Sequence, residues 1–216
     1  MFNKLRQAGL LWNARRVYRI YRLLKLNLRR KGKKRLPHRY PQPLVIPHKM
    51  NHCWSVDFMS DALSDGRRFR LFNVVDDFNR EALAIEVDLN IPAHRVVRIL
   101  ERLSTERGYP AFIRSDNGPE LTAAALAEWA ERHGVILDFI QPGKPMQNGF
   151  IERFNKTLRP EILDMYLFRT LSEVRELTED WRTEYNEERP HSSLGDMPPV
   201  IYARQKLAGD PHWRWY

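Results

Sequence analysis

Residues 53–87, CWSVDFMSDALSDGRRFRLFNVVDDFNREALAIEV, decide the fold. Cys53–Phe58 reads as a short strand, Asp65-Gly66 as a turn signal, and Phe69–Val75 as a second strand. Another turn, Asp76–Arg80, leads to a third strand, Ala82–Val87. Three strands joined by short turns make an antiparallel meander.

Downstream of the meander the period changes. Pro92 stands near a helix start, and Val96, Val97, Leu100 and Leu103 form its apolar stripe before Gly108 and Pro110 end it. Ala111–Ser115 predicts a fourth strand, Glu120–Arg132 a helix stopped by Gly134, and Val135–Ile140 a fifth strand. The loop Gln141–Gly149 introduces a helix with Ile151, Phe154 and Leu158 on one side. Pro160 removes the bond to the carbonyl of Lys156, so this helix should kink or end there. Thr170 and Glu173 form a capping box for a last helix through Val174, Leu177, Trp181 and Tyr185. The order βββαβαβα describes an α/β fold with a five-stranded mixed sheet and flanking helices.

Upstream lies a basic arm. Residues 1–56 carry 15 of the 36 Lys and Arg and no Asp or Glu, although the net charge of the 216 residues is only +9. A strongly cationic arm is thus joined to a mildly acidic body. Such an arm suits a polyanion, because neutralised phosphates release counterions, or it is a solvated tail. Val17, Ile20, Tyr21 and Leu24 predict one amphipathic helix, followed by the dense run Arg29, Arg30, Lys31, Lys33, Lys34 and Arg35. Pro37, Pro41, Pro43 and Pro47 mark an extended linker. One helix cannot make a stable helix-turn-helix, so the arm either folds on DNA or is the remnant of a larger domain. The expected division is a DNA-binding arm and linker over 1–46, a core over 47–169, and a C-terminal helical extension over 170–216. A single cysteine, Cys53, excludes an internal disulfide, and no apolar run approaches a membrane span. The expected compartment is the cytoplasm.

Three acids fall where this layout gathers them: Asp57 in the first strand, Asp116 at the end of the fourth, and Glu152 on the helix after the fifth. If the first and fourth strands are neighbours, the aspartates sit side by side and the helix lays Glu152 over them. A few carboxylates with open positions for phosphate and water suit Mg²⁺. Two such ions would turn a pocket that repels DNA into one that attracts it.

Trp54-Ser55-Val56-Asp57-Phe58, Arg114-Ser115-Asp116-Asn117-Gly118-Pro119-Glu120 and Gln147-Asn148-Gly149-Phe150-Ile151-Glu152-Arg153-Phe154-Asn155 resemble the retroviral-integrase-type core. Tyr185-Asn186-Glu187-Glu188-Arg189-Pro190-His191-Ser192-Ser193-Leu194 narrows the resemblance to the OrfB half of bacterial insertion-sequence transposases. The 35 residues between Asp116 and Glu152 match that family's D,D-35-E motif. The resemblance implies a ribonuclease-H-like fold, catalysis by Asp57, Asp116 and Glu152 with two Mg²⁺ or Mn²⁺, and cutting and joining of double-stranded DNA at transposon ends. It also implies a homo-multimer on paired ends, an OrfA partner or fusion carrying the helix-turn-helix, and association with a bacterial nucleoid. The alternative is a catalytically idle, truncated transposase acting as a DNA-binding repressor.

Lys156 and Arg159 follow Glu152 at i+4 and i+7, a cation face suited to a DNA strand leaving the site; the competing reading is a simple Glu152–Lys156 pair. Asp76 and Asp77 read as turn residues, and Glu120 as a helix-start cap. His48, His52 and Cys53 lack a fourth partner for zinc. Trp129, Trp181 and Tyr185 read as core, and the tail from His212 to Tyr216 as a packing clasp.

Overall fold

The computed structural model describes residues 1–26, 47–141 and 145–208. The run Arg29–Arg35, Pro37, Pro41 and Pro43, part of the loop before Gly149, and the tail His212–Tyr216 lie outside the described residues.

The meander forms as expected: β1 (Cys53–Ala62), β2 (Arg68–Asp76) and β3 (Ala82–Asp88) pair antiparallel in sequence order. β1 runs four residues past the expected Phe58, because Met59–Ala62 find partners in Arg68–Leu71. Then come α3 (Ala93–Arg107), β4 (Phe112–Ser115), α4 (Ala124–His133) and β5 (Ile136–Phe139). β4 pairs parallel with β1 and β5 parallel with β4, giving the sheet order β3-β2-β1-β4-β5. The neighbourhood of the first and fourth strands, on which the acid pair depended, is therefore real.

Alternation along the strands divides the core in two. Trp54, Val56, Phe72, Val74 and Ile113 point to one face and pack on Val96 and Leu100 of α3 and Leu126 and Trp129 of α4. Met59, Leu71, Val75 and Val87 point to the other. There they meet Ile151, Phe154 and Leu158 of α5 (Gly149–Leu158) and Val174, Trp181 and Tyr185 of α6 (Leu171–Glu187). The three aromatics read as core, Trp129, Trp181 and Tyr185, are 3%, 8% and 6% exposed, so packing is their role. The C-terminal helix α6 belongs to the same core as α5. α7 (Pro199–Ala208) packs against α6.

Pro160 acts as its chemistry requires. The α-helix ends at Leu158, and Arg159–Leu163 form a π-helical turn in which the amide of Asp164 reaches the carbonyl of Arg159 at 2.8 Å. Thr170 caps α6 by accepting from the amide of Glu173, and Glu173 answers by accepting from the amide of Arg169. The β3 edge is closed by a side chain: Asn186 accepts from the Ala82 amide at 2.8 Å and donates to its carbonyl at 3.0 Å. At this one residue it supplies the pair of hydrogen bonds that a neighbouring strand would make.

The arm differs from expectation. It holds two helices, α1 (Phe2–Gln7) and α2 (Ala14–Leu23), the second capped by Asn13. Of the expected apolar face only Val17 is buried; Ile20 and Leu24 stay exposed, because little among the described residues packs on them. α1 docks on the acidic end of α6, where Lys4 pairs with Glu184 and stands 3.8 Å from Glu188.

Candidate active site

Asp57 is a β1 residue facing α5. The β1–β4 register aligns Ser55 with Arg114, and two further residues along put Asp57 level with Asp116, the residue that follows β4. α5 then brings Glu152 over this end of the sheet, its apolar residues Ile151, Phe154 and Leu158 being fully or almost fully buried below. The three acids thus stand at one end of the sheet, on β1, after β4 and on α5. Burial pushes the Asp57 carboxyl up to about 6, and the charges of Asp116 and Glu152 push the same way, against hydrogen bonds from the Phe58 amide and Asn155.

Each carboxylate is engaged elsewhere. Asp57 Oδ1 accepts from the Phe58 amide and Oδ2 from Asn155 Nδ2, both at 2.8 Å. Asp116 Oδ1 accepts from the Gly118 amide at 3.1 Å, an approach so close that a Cβ on residue 118 would stand 3.1 Å from that oxygen. Glu152 Oε2 is paired with Lys156 Nζ at 2.9 Å. Among the described residues no three Asp, Glu, His or Cys side chains are already drawn around one point. A groove of about 590 Å³ lies elsewhere, against Lys4, Gln7, Glu187 and Glu188.

The neighbouring residues sort themselves by contact. Lys156 makes the i, i+4 pair. Arg159 donates to the Ser60 carbonyl at 2.9 Å and lies 3.6 Å from Asp61, which ties the end of α5 to β1. Asp76 takes the expected turn role, accepting from the amides of Phe78 and Asn51. Asp77 does not: it is fully buried and holds Ser55 Oγ at 2.6 Å and Arg114 at 3.2 Å. Glu120 is no helix cap either. α4 begins only at Ala124, and Glu120 is paired with Arg70, which stacks over Phe58 at 4.1 Å.

Sequence reasoning missed three partners. Asn155, one turn beyond Glu152, donates to Asp57. Behind it Asn73 of β2 donates to Asn155 Oδ1 at 2.8 Å. Arg80, at a positive φ of 64°, stacks on Phe150 of α5 at 3.6 Å and carries the hairpin onto that helix. An amide in the middle of the apolar run Leu71–Val75 was the one available signal for Asn73. The C-terminal segment holds the other side of α5. Tyr185 and Trp181 pack edge-on against Phe154, and Arg189 clasps Glu161 at 2.6 and 2.8 Å.

A five-stranded mixed sheet with acids at the β1, β4 and α5 positions defines an integrase-type core. Two family models described as "Integrase core domain" match the chain, over residues 47–145 and 133–199. A protein of insertion element IS407 from Burkholderia multivorans is 44% identical over 91% of this chain and 71% of its own length. One from IS476 of Xanthomonas euvesicatoria is 42% identical over 88% of this chain, which spans only 55% of that relative. Among solved structures, the HTLV-2 integrase catalytic core in complex with magnesium superposes with a TM-score of 0.56 at 16% identity, over 72% of this chain and 98% of that one. The fold is ribonuclease-H-like. The chain belongs to the insertion-sequence transposases with a retroviral-integrase-like core, a family whose function is transposition and whose enzymes are of the polynucleotidyl-transferase type. No helix among the described residues is long and apolar enough to cross a membrane.

Proposed function

We propose that the chain cleaves double-stranded DNA at the ends of a mobile element and joins those ends to a target, with Asp57, Asp116 and Glu152 as its catalytic acids. One observation supports the reading: the parallel β1–β4 register puts Asp57 level with Asp116, and α5, which carries Glu152, packs on β1 at the same end of the sheet. Such a cluster facing a phosphodiester is repulsive unless cations join it. The donors are all hard oxygens, so the residues fit Mg²⁺ or Mn²⁺. Two such ions, held by Asp57, Asp116 and Glu152, would supply the charge that polarises the phosphate and the attacking water or 3′-hydroxyl.

The side chains do the rest. The Phe58 amide and Asn155 hold the Asp57 carboxylate in one orientation. Asp116, exposed at the strand end, leaves room for a polymer to approach. Lys156 on α5 and Arg159 just past its end contact the phosphates of the departing strand, Arg159 exchanging its bonds to Ser60 and Asp61 for them. Residues 1–46, with Arg29, Arg30, Lys31, Lys33, Lys34 and Arg35, add sequence-independent phosphate contacts. The working unit is a homo-multimer on paired ends, with an OrfA protein supplying end recognition, in the nucleoid of a bacterial cytoplasm.

The test is DNA cleavage by purified Glu152→Gln protein with Mg²⁺ or Mn²⁺. The expected result is loss of cleavage with end-binding retained. Cleavage at the wild-type rate would overturn the assignment. A wild-type chain that binds ends but cuts with neither metal is the idle DNA-binding protein.

A further inference from the structure

We infer that Asn73 is a positioning residue for the active site, acting through Asn155 on Asp57; the inference rests on the metal-holding role of Asp57 proposed above. Asn73 lies opposite Asp57 in the β1–β2 register and is fully buried. Its neighbours two residues away on the same face, Leu71 and Val75, belong to the apolar cluster under α5. An amide here is out of place as packing. Its Oδ1 is buried with no partner among the described residues, a deficit that an apolar side chain of similar size would avoid.

What the amide does provide is polarity. Asn73 Nδ2 donates to Asn155 Oδ1 at 2.8 Å, so the Asn155 amide must turn its oxygen toward β2 and its NH₂ toward β1. That NH₂ then donates to Asp57 Oδ2 at 2.8 Å. With Oδ1 taken by the Phe58 amide, the carboxylate plane is held from two sides. Without Asn73, Asn155 is free to rotate its amide and present an oxygen to the carboxylate, which repels it. The interaction spans two elements, β2 and α5, so it also registers the helix that carries Glu152 against the strand that carries Asp57. Groups that orient a metal ligand typically change metal affinity by about 10–100-fold when removed.

The experiment uses the full chain with two readouts: the side-chain NH₂ signals of Asn73 and Asn155 by NMR without metal, and Mn²⁺ affinity by titration. Asn73→Leu is close in size and should keep the fold. Asn73→Asp cannot donate and should force the Asn155 amide to turn over. Val74→Ala, equally buried on the opposite face of β2, reports what lost stability alone does. Slowly exchanging Asn155 NH₂ protons are expected in the wild type and in Val74→Ala, fast exchange in Asn73→Leu, and slow exchange with shifted NH₂ signals in Asn73→Asp, where the turned amide donates to the new carboxylate instead of Asp57. Mn²⁺ affinity should fall about 10-fold or more in Asn73→Leu and stay within about twofold in Val74→Ala. Unchanged Asn155 exchange in Asn73→Leu, or Mn²⁺ affinity within about twofold of wild type, overturns the positioning role. A wild type with slow Asn155 exchange that binds no Mn²⁺ overturns instead the metal-holding reading of Asp57, and leaves the hydrogen-bond chain standing.

Discussion

Asp57→Asn should make the metal-free protein more stable while disabling it. Burial and the charges of Asp116 and Glu152 push Asp57 up to about 6. A carboxyl held near 6 rather than near 4 costs the folded state about 3 kcal/mol once ionised, at about 1.4 kcal/mol per pH unit. An amide has one oxygen where the carboxylate has two, so Asn loses one of the bonds from Phe58 and Asn155, worth about 1 kcal/mol. Solvent at this partly exposed position screens some of the remainder, and a net gain of about 1–2 kcal/mol is expected. In a chain of this size that raises the melting temperature by about 2–8 °C. The sign follows from protons. The folded state binds the Asp57 proton more tightly than the unfolded state, so wild-type stability falls as pH rises from about 4 to about 6. The variant is spared that loss. Its advantage is therefore absent below pH 4 and complete above pH 6. Asp76, also pushed up to about 6 by burial, titrates alike in both proteins and cancels. Thermal melts in chelator at pH 4 and pH 8 measure the difference. Mn²⁺ at pH 8 should then invert the order, adding about 2.7 kcal/mol to the wild type at a hundred times its Kd and little to the variant. A variant less stable than wild type at pH 8 in chelator, or a gain equal at both pH values, refutes the reasoning.

Removing Asn186 should open the β3 edge. Asn186→Ala loses two buried hydrogen bonds to Ala82, and urea melts should show about 1–3 kcal/mol of destabilisation with Mn²⁺ affinity unchanged. Lys156→Ala with Arg159→Ala should weaken binding to transposon-end DNA at physiological salt; the lost Glu152–Lys156 pair alone should cost only about 0.2–0.5 kcal/mol of stability. Full end-binding by that double variant would leave this face as ordinary surface. Deleting residues 1–46 should flatten the dependence of DNA affinity on salt, and an unchanged slope would mark the basic run as a solvated tail.

The meander and the two crossovers were legible in the sequence because each is written locally. Alternation marks strands such as Phe69–Val75, a 3.6-residue period marks α3 and α5, and a missing amide at Pro160 ends a helix wherever it occurs. The adjacency of β1 and β4 was only a condition in that reading, and the sheet order supplies it. Polar partnerships were not legible. Glu120 has the composition of a helix cap, yet Arg70, 50 residues away, takes it. Asp77 looks like its neighbour Asp76, but only Asp77 faces Ser55 and Arg114 across the sheet. Asn186 meets Ala82 across 104 residues, and Asn155 meets Asp57 across 98. Burial has a period that a sequence displays, because apolar side chains accept any apolar neighbour. A hydrogen bond demands one partner at one distance and angle, and which donor reaches which oxygen is decided only when strands and helices have packed.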